Sequence, residues 1–212
     1  MFAYRNFDVE IVRELDASQL TWPEPGDATD DSGLGCNRLY ADLRGLSWAE
    51  AKRVFALEGR LITRIEISKD IDAEYDAIVE ELYEEDEHLF GLDLGVASTV
   101  VCLSAARCVP FASCNAGVFG GHHQESYPLV AFFARCQMVD LLLASAVDAE
   151  VGLENHGYGC AVVYANDVRK FRTFAQSLIS KRSLFRAARL RQRGRKVRTP
   201  NLQLEQYNLP FG

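Results

Sequence analysis

The segment "LGVASTVVCLSAARC" (94–108) places the tightest constraint on how this chain can fold. It is apolar almost all the way round a helix, with Arg107 as its one charge. A helix without a polar face belongs in an interior, not at a surface. It is too short to span a bilayer, which takes about 20 apolar residues. The stretch around "YPLVAFFA" (127–134) is only strand-sized. The segment therefore reads as a core helix of a soluble protein, and the rest of the 212 residues must enclose it. That length is enough for one large domain or two small ones.

Hydrophobic periodicity supplies the enclosing elements. Phe7, Val9 and Ile11 alternate with polar neighbours, a strand over 7–13. The Pro-, Gly-, Asp- and Ser-rich stretch 16–35 reads as a long loop. Ser47 with Glu50 forms a capping box that opens a helix whose apolar face is Trp48, Ala51, Val54 and Phe55. Gly59 reads as its left-handed stop. "RLITRIEIS" (60–68) then reads as a strand. Residues 72–88 form an amphipathic helix, with Tyr75, Ile78, Val79 and Leu82 inward and acids on a solvated face. After the buried helix come strands at 109–114 and 128–134, a helix at 137–150, a strand at 160–165, and a long helix from Asn166 or Asp167. "GLENHGYGC" (152–160) reads as a second Gly-rich loop. The order of strands and helices does not alternate strictly, so the expected class is α+β, a mixed sheet packed with helices. Residues 1–180 read as a single domain with lobes at 1–90 and 91–180, and 181–212 as a basic helical tail.

The N-terminal "MFAYRNFDVEIVREL" is charged throughout and unlike a secretory signal. The expected compartment is cytoplasmic, with the six cysteines as reduced thiols and no membrane partner.

"SCNAGVFGGHHQESY" (113–127) is the stretch richest in reactive side chains. A nucleophilic thiol needs a base within hydrogen-bond reach. Cys114 is the candidate nucleophile, His122 or His123 the base, Asn115 an orienting or oxyanion group, and Glu125 the group that fixes the imidazole tautomer. The alternatives are a non-catalytic ligand loop and a purely structural cysteine. No metal site is read. Cys108 and Cys114 at opposite ends of a strand lie about 20 Å apart, and Cys102 and Cys108 face different sides of a helix. Gly117, Gly120 and Gly121 match no phosphate-loop spacing, and no cofactor is expected.

Residues 181–212 hold nine Lys/Arg against one acid, a net +8, which leaves 1–180 at −15 of the overall −7. Arg182, Arg186, Arg189 and Arg193 are spaced 4, 3 and 4, within an arc of about 60° on a helix. Aligned guanidinium groups match a row of phosphates; the alternative is that the ridge packs on the acidic body. Gln206, Leu209 and Phe211 in "QLEQYNLPFG" form a Q-x-x-L-x-F arrangement. It resembles the C-terminal peptides by which bacterial replication and repair proteins dock onto the sliding clamp, and the resemblance implies that partner. Three functions follow. One is an interaction or accessory protein whose arm engages nucleic acid or a nucleic-acid-bound complex. The second is a thiol-dependent enzyme centred on Cys114. The third is a subunit of a larger complex docked through the tail.

Overall fold

The computed structural model describes residues 2–23, 45–84, 89–119 and 125–193, with the side chains of 83, 84, 158 and 189–193 outside that description. In chain order the elements are β1 (Arg13–Glu14), α1 (Trp48–Ile67), α2 (Ile71–Glu84), α3 (Ala97–Ala105), β2 (Val109–Cys114), β3 (Leu129–Phe133), α4 (Val139–Ala149), β4 (Gly152–His156), β5 (Cys160–Tyr164), α5 (Arg169–Ser180) and α6 (Arg182–Arg193). The sheet order is β1-β4-β5-β3-β2, with β1 parallel to β4 and every other pair antiparallel. The fold is α+β. No helix of the described residues is long and apolar enough to cross a membrane.

Every residue of α3 is buried. Its polar side chains are each satisfied internally. The Thr99 hydroxyl donates to the Phe171 carbonyl at 2.8 Å, and the Ser104 hydroxyl to the Val100 carbonyl at 3.0 Å. Ser98 donates through its hydroxyl and, at 3.2 Å, its backbone N–H to the carboxylate of Glu58 on α1. Gly95 N–H reaches the same carboxylate at 2.9 Å. The N-cap residue Val96 makes no side-chain cap bond, so Glu58 caps this helix from outside it. Val130, Phe132, Leu153, Ala161 and Val163 of the sheet join the same core cluster as α1, α3 and α5.

Several elements differ from their sequence reading. Residues 60–68 are not a strand: α1 runs through Gly59 to Ile67, because Leu57, Leu61 and Ile65 prolong the buried stripe of Trp48, Ala51 and Val54. Gly59 is not a stop. A Cβ there would collide with the Arg172 guanidinium of α5, so its lack of a side chain serves close approach. The expected strand at 7–13 pairs only at Arg13–Glu14. Its parallel partner begins at Gly152, just after the Glu150–Val151 turn, so the ladder reaches back only to the Val12 carbonyl, which accepts from Leu153 N–H at 2.8 Å. Phe7 N–H instead donates to the Asn166 carbonyl at 2.7 Å, and Val12 N–H to the Tyr164 hydroxyl at 3.1 Å. Part of the second Gly-rich loop is a strand, β4, where the Tyr164 ring lies over Gly152 and leaves no room for a Cβ.

The long C-terminal helix is two helices, α5 and α6, parted at Lys181. In α2, Ile78 is fully buried but Val79 is 48% exposed. The acidic face of α2 is not wholly solvated, since Glu74 and Glu81 both pair with Arg64 of α1. Of the expected 16–35 loop, residues 24–35 lie outside the described residues. The rest is fastened: Thr21 N–H donates to the Gly159 carbonyl at 2.9 Å, and the Arg135 guanidinium lies 3.8 Å from the Trp22 ring centroid.

Gly95 carries two demands at once. Its φ is +93°, and a Cβ would sit 2.6 Å from Val168 Cγ2 and 2.9 Å from Phe119 Cε2. Gly95→Ala is expected to lower stability by about 2 kcal/mol or more, from left-handed strain and overpacking together. Urea denaturation measures it; an unchanged midpoint would show that the Glu58 cap does not require this backbone.

Candidate functional site

Both regions singled out by sequence fall partly within the described residues. Cys114 ends β2 and is only 7% exposed. Its thiol is pushed above the ordinary range by burial, against the opposing pull of the Ala116 and Glu125 backbone N–H groups. The Asp93 and Glu125 charges raise it further. A nucleophilic thiol needs the reverse, an electropositive setting that lowers its pKa. Asn115 is buried and occupied at both ends of its amide. Its Nδ2 donates to the Leu94 carbonyl at 2.9 Å, and its Oδ1 accepts from Gly117 N–H at 2.9 Å. It closes an Asx turn and ties that turn to the approach of α3. Glu125 is exposed. His122 and His123 lie outside the described residues. In the described residues Cys114 packs at the end of β2 and Asn115 closes the turn that follows it.

Cys102, Cys108 and Cys160 are likewise buried away from water. Burial lifts Cys108 to about 12 and Cys160 to about 11, and it raises Cys102 as well. Cys136 alone among the described cysteines is exposed.

The basic helix is firmly seated. α6 carries five arginines and no acid across Arg182–Arg193. Its buried anchor, Phe185, is 2% exposed, with its ring 6.2 Å from that of Trp48 on α1. At the break before it, Lys181 pairs with Asp148 of α4 and donates to the Ser177 hydroxyl at 2.7 Å. Arg182 turns back, its Nη1 donating to the Ile179 carbonyl at 3.0 Å, so it caps the end of α5. Arg186 is exposed. Among the described residues neither Arg182 nor Arg186 forms an ion pair with a carboxylate. Arg189 and Arg193 belong to α6, but their side chains are outside the described residues, as are Gln206, Leu209 and Phe211.

Sequence reasoning passes over a second group of charged residues. Tyr4, Glu66, Arg169 and Arg172 line one cleft of about 160 Å³ between the N-terminal segment, α1 and the start of α5. Three separate stretches of chain build it, so no local pattern announces it. The available signals are Gly59, with its close approach to Arg172, and the Arg169/Arg172 spacing on one face of α5.

Comparison with protein-family models, with curated proteins and with solved structures finds no match for this chain.

Brief alkylation of the folded protein at neutral pH, read by mass spectrometry, is expected to modify Cys136 well before Cys102, Cys108 or Cys114. Modification of Cys114 ahead of Cys136 would restore the thiol to candidacy as a nucleophile.

Proposed function

We propose that this is an interaction protein that engages the phosphate backbone of nucleic acid through its basic C-terminal arm, alone or as part of a nucleic-acid-bound complex. The reading rests on one observation: α6 is held to the body by Phe185 while Arg186 stays in solvent with no carboxylate partner among the described residues. An Arg186 that neutralised the acidic body would show such a pair. The charge layout supports the same reading. The arm is the one strongly positive segment of a chain whose remainder is −15, so phosphate would approach there and be repelled elsewhere. Arg182, with one N–H given to the end of α5, contributes from the rim of the ridge.

The test is fluorescence anisotropy with labelled single- and double-stranded oligonucleotides over a range of salt. Binding is expected to weaken steeply with salt. Replacing Arg182, Arg186, Arg189 and Arg193 together by Gln should flatten the log–log slope by about 0.9 for each duplex phosphate that is no longer neutralised. The thermal midpoint should hold, since Phe185 and the α5 core are untouched. No binding by the intact protein at low salt contradicts the proposal. A loss of stability in the variant would instead mean that the ridge packs on the acidic body. The peptide Gln206–Phe211 extends the same arm; deleting 206–212 should abolish binding to a sliding clamp while nucleic-acid binding persists, if the resemblance reflects function.

A further inference from the structure

The cleft beside α5 is lined by two opposite charges with no ion-pair partner among the described residues, Arg172 and Glu66. Gly59, Ile62, Thr63 and Glu66 fall at i, i+3, i+4 and i+7, so one face of α1 forms its floor. At one end the Arg172 guanidinium lies against Gly59, donating from Nη1 to the Phe55 carbonyl at 2.7 Å, with Cζ 3.9 Å from the Phe55 ring centroid. That is one protein hydrogen bond for a group with five donors. No carboxylate lies within ion-pair distance of it among the described residues; the buried Glu58 acts on it only at longer range. At the other end the Glu66 carboxylate accepts the Tyr4 hydroxyl at 2.7 Å. It has no cation within ion-pair distance among the described residues, and Arg169 acts on it only at longer range. Tyr4 is held there as a donor, since burial and the Glu66 bond both raise its pKa.

The remaining lining is already committed. Arg169 is neutralised by Asp167 through paired hydrogen bonds and lies over the Tyr4 ring at 4.4 Å. The Thr63 hydroxyl donates to the Gly59 carbonyl at 2.9 Å. Tyr4 and Phe119, with ring centroids 6.2 Å apart, make an apolar side wall. Among its described residues the cleft therefore offers one available cation, one available anion and aromatic surface between them.

We infer that this cleft binds a short amino acid, its carboxylate on Arg172 and its ammonium on Glu66. A simple anion would answer Arg172 and leave Glu66 repelling it. A simple amine would meet the reverse difficulty. The spacing selects length. Seven residues of α1 separate the two ends by about 10 Å of helix rise, and two charge-assisted hydrogen bonds of about 2.8 Å each occupy the flanks. Helical side chains lean toward the N-terminus, so the Glu66 carboxylate stands nearer the Arg172 end than the backbone rise implies, and the gap left suits the short spacer of a β- or γ-amino acid more than a long diamine or diacid. The cleft's volume of about 160 Å³ accommodates a molecule of that size. The site is independent of α6, so its failure or success leaves the arm's role untouched.

Isothermal titration of the full chain tests the inference, with β-alanine and γ-aminobutyrate as probes and butyrate and butylamine as single-charge controls. The amino acids should bind at least about tenfold more tightly than either control. Arg172→Gln and Glu66→Gln should each weaken them by a similar factor while the thermal midpoint of Glu66→Gln stays at the wild-type value. Glu66→Gln should also remove the preference over butyrate, because the repulsion of anions goes with it. Three outcomes overturn the proposal: no heat with either amino acid at about 10 mM, where a Kd of about 1 mM would saturate; butyrate binding as tightly as γ-aminobutyrate to the wild type; or affinity unchanged in Glu66→Gln.

Discussion

The bonds from Glu58 to the start of α3 are the interaction on which the architecture depends. A helix buried on every side cannot leave its first N–H groups to water, and α3 brings no capping side chain of its own. Glu58 supplies the acceptor from α1, and its carboxylate stands at the positive end of the α3 dipole. The same contact fixes where α1 crosses α3. It requires Gly95 at positive φ, which in turn lets Val168 and Phe119 close over the turn. The approach to α5, the Phe119 wall of the cleft and the Asn115 tether to Leu94 all follow from that placement. Burial pushes the Glu58 carboxyl above its usual range, and the Ser98 and Gly95 bonds with the Arg172 charge draw it partway back. The folded state therefore holds this proton more tightly than the unfolded chain. The proton-linked part of the site's stability is full below the ordinary Glu range and declines as pH rises through the raised folded value.

Charge is partitioned by element. Acids on α2 are drawn onto Arg64, and Asp148 holds Lys181 at the break between α5 and α6. These pairs consume positive charge near the body, while Arg186 of α6 stays exposed. The two proposals divide along the same line. One rests on a cationic helix meeting an extended polyanion. The other rests on a small cleft lined by one available cation and one available anion. The first works by summed long-range attraction, which salt screens; the second works at short range on a fixed spacing.

The parts of the fold legible in the sequence are those governed by local periodicity. α3 is readable because all its faces are apolar, and β2, β3 and β5 because their apolar runs are short and bounded by turns. What cannot be read arises between elements. Gly59 reads as a helix end because glycine alone does not say whether it serves a turn or a neighbour, and its neighbour Arg172 lies far along the chain. Gly152 hides β4 for the same reason, its need being the Tyr164 ring. Glu58 does leave a trace. It occupies the phase of Ala51, Val54, Leu61 and Ile65, where a solvent-facing glutamate does not belong. At the reactive-looking loop, spacing brings Cys114 and Asn115 to attention, but the burial of the one and the turn closed by the other are invisible in a sequence.

The most direct test compares the unfolding free energies of the wild type, Glu58→Ala and Glu58→Gln by urea denaturation at neutral pH. The Ala variant leaves the Gly95 and Ser98 N–H groups and the Ser98 hydroxyl without their partner, at roughly 1–3 kcal/mol for each buried group, so a loss of about 3 kcal/mol or more is expected. Gln keeps a single acceptor oxygen, which can serve either Gly95 N–H or the Ser98 pair because these sit on different oxygens of Glu58, so it should recover only part of that loss. A Glu58→Ala protein as stable as the wild type would contradict the account, because α3 would then hold its place without that carboxylate.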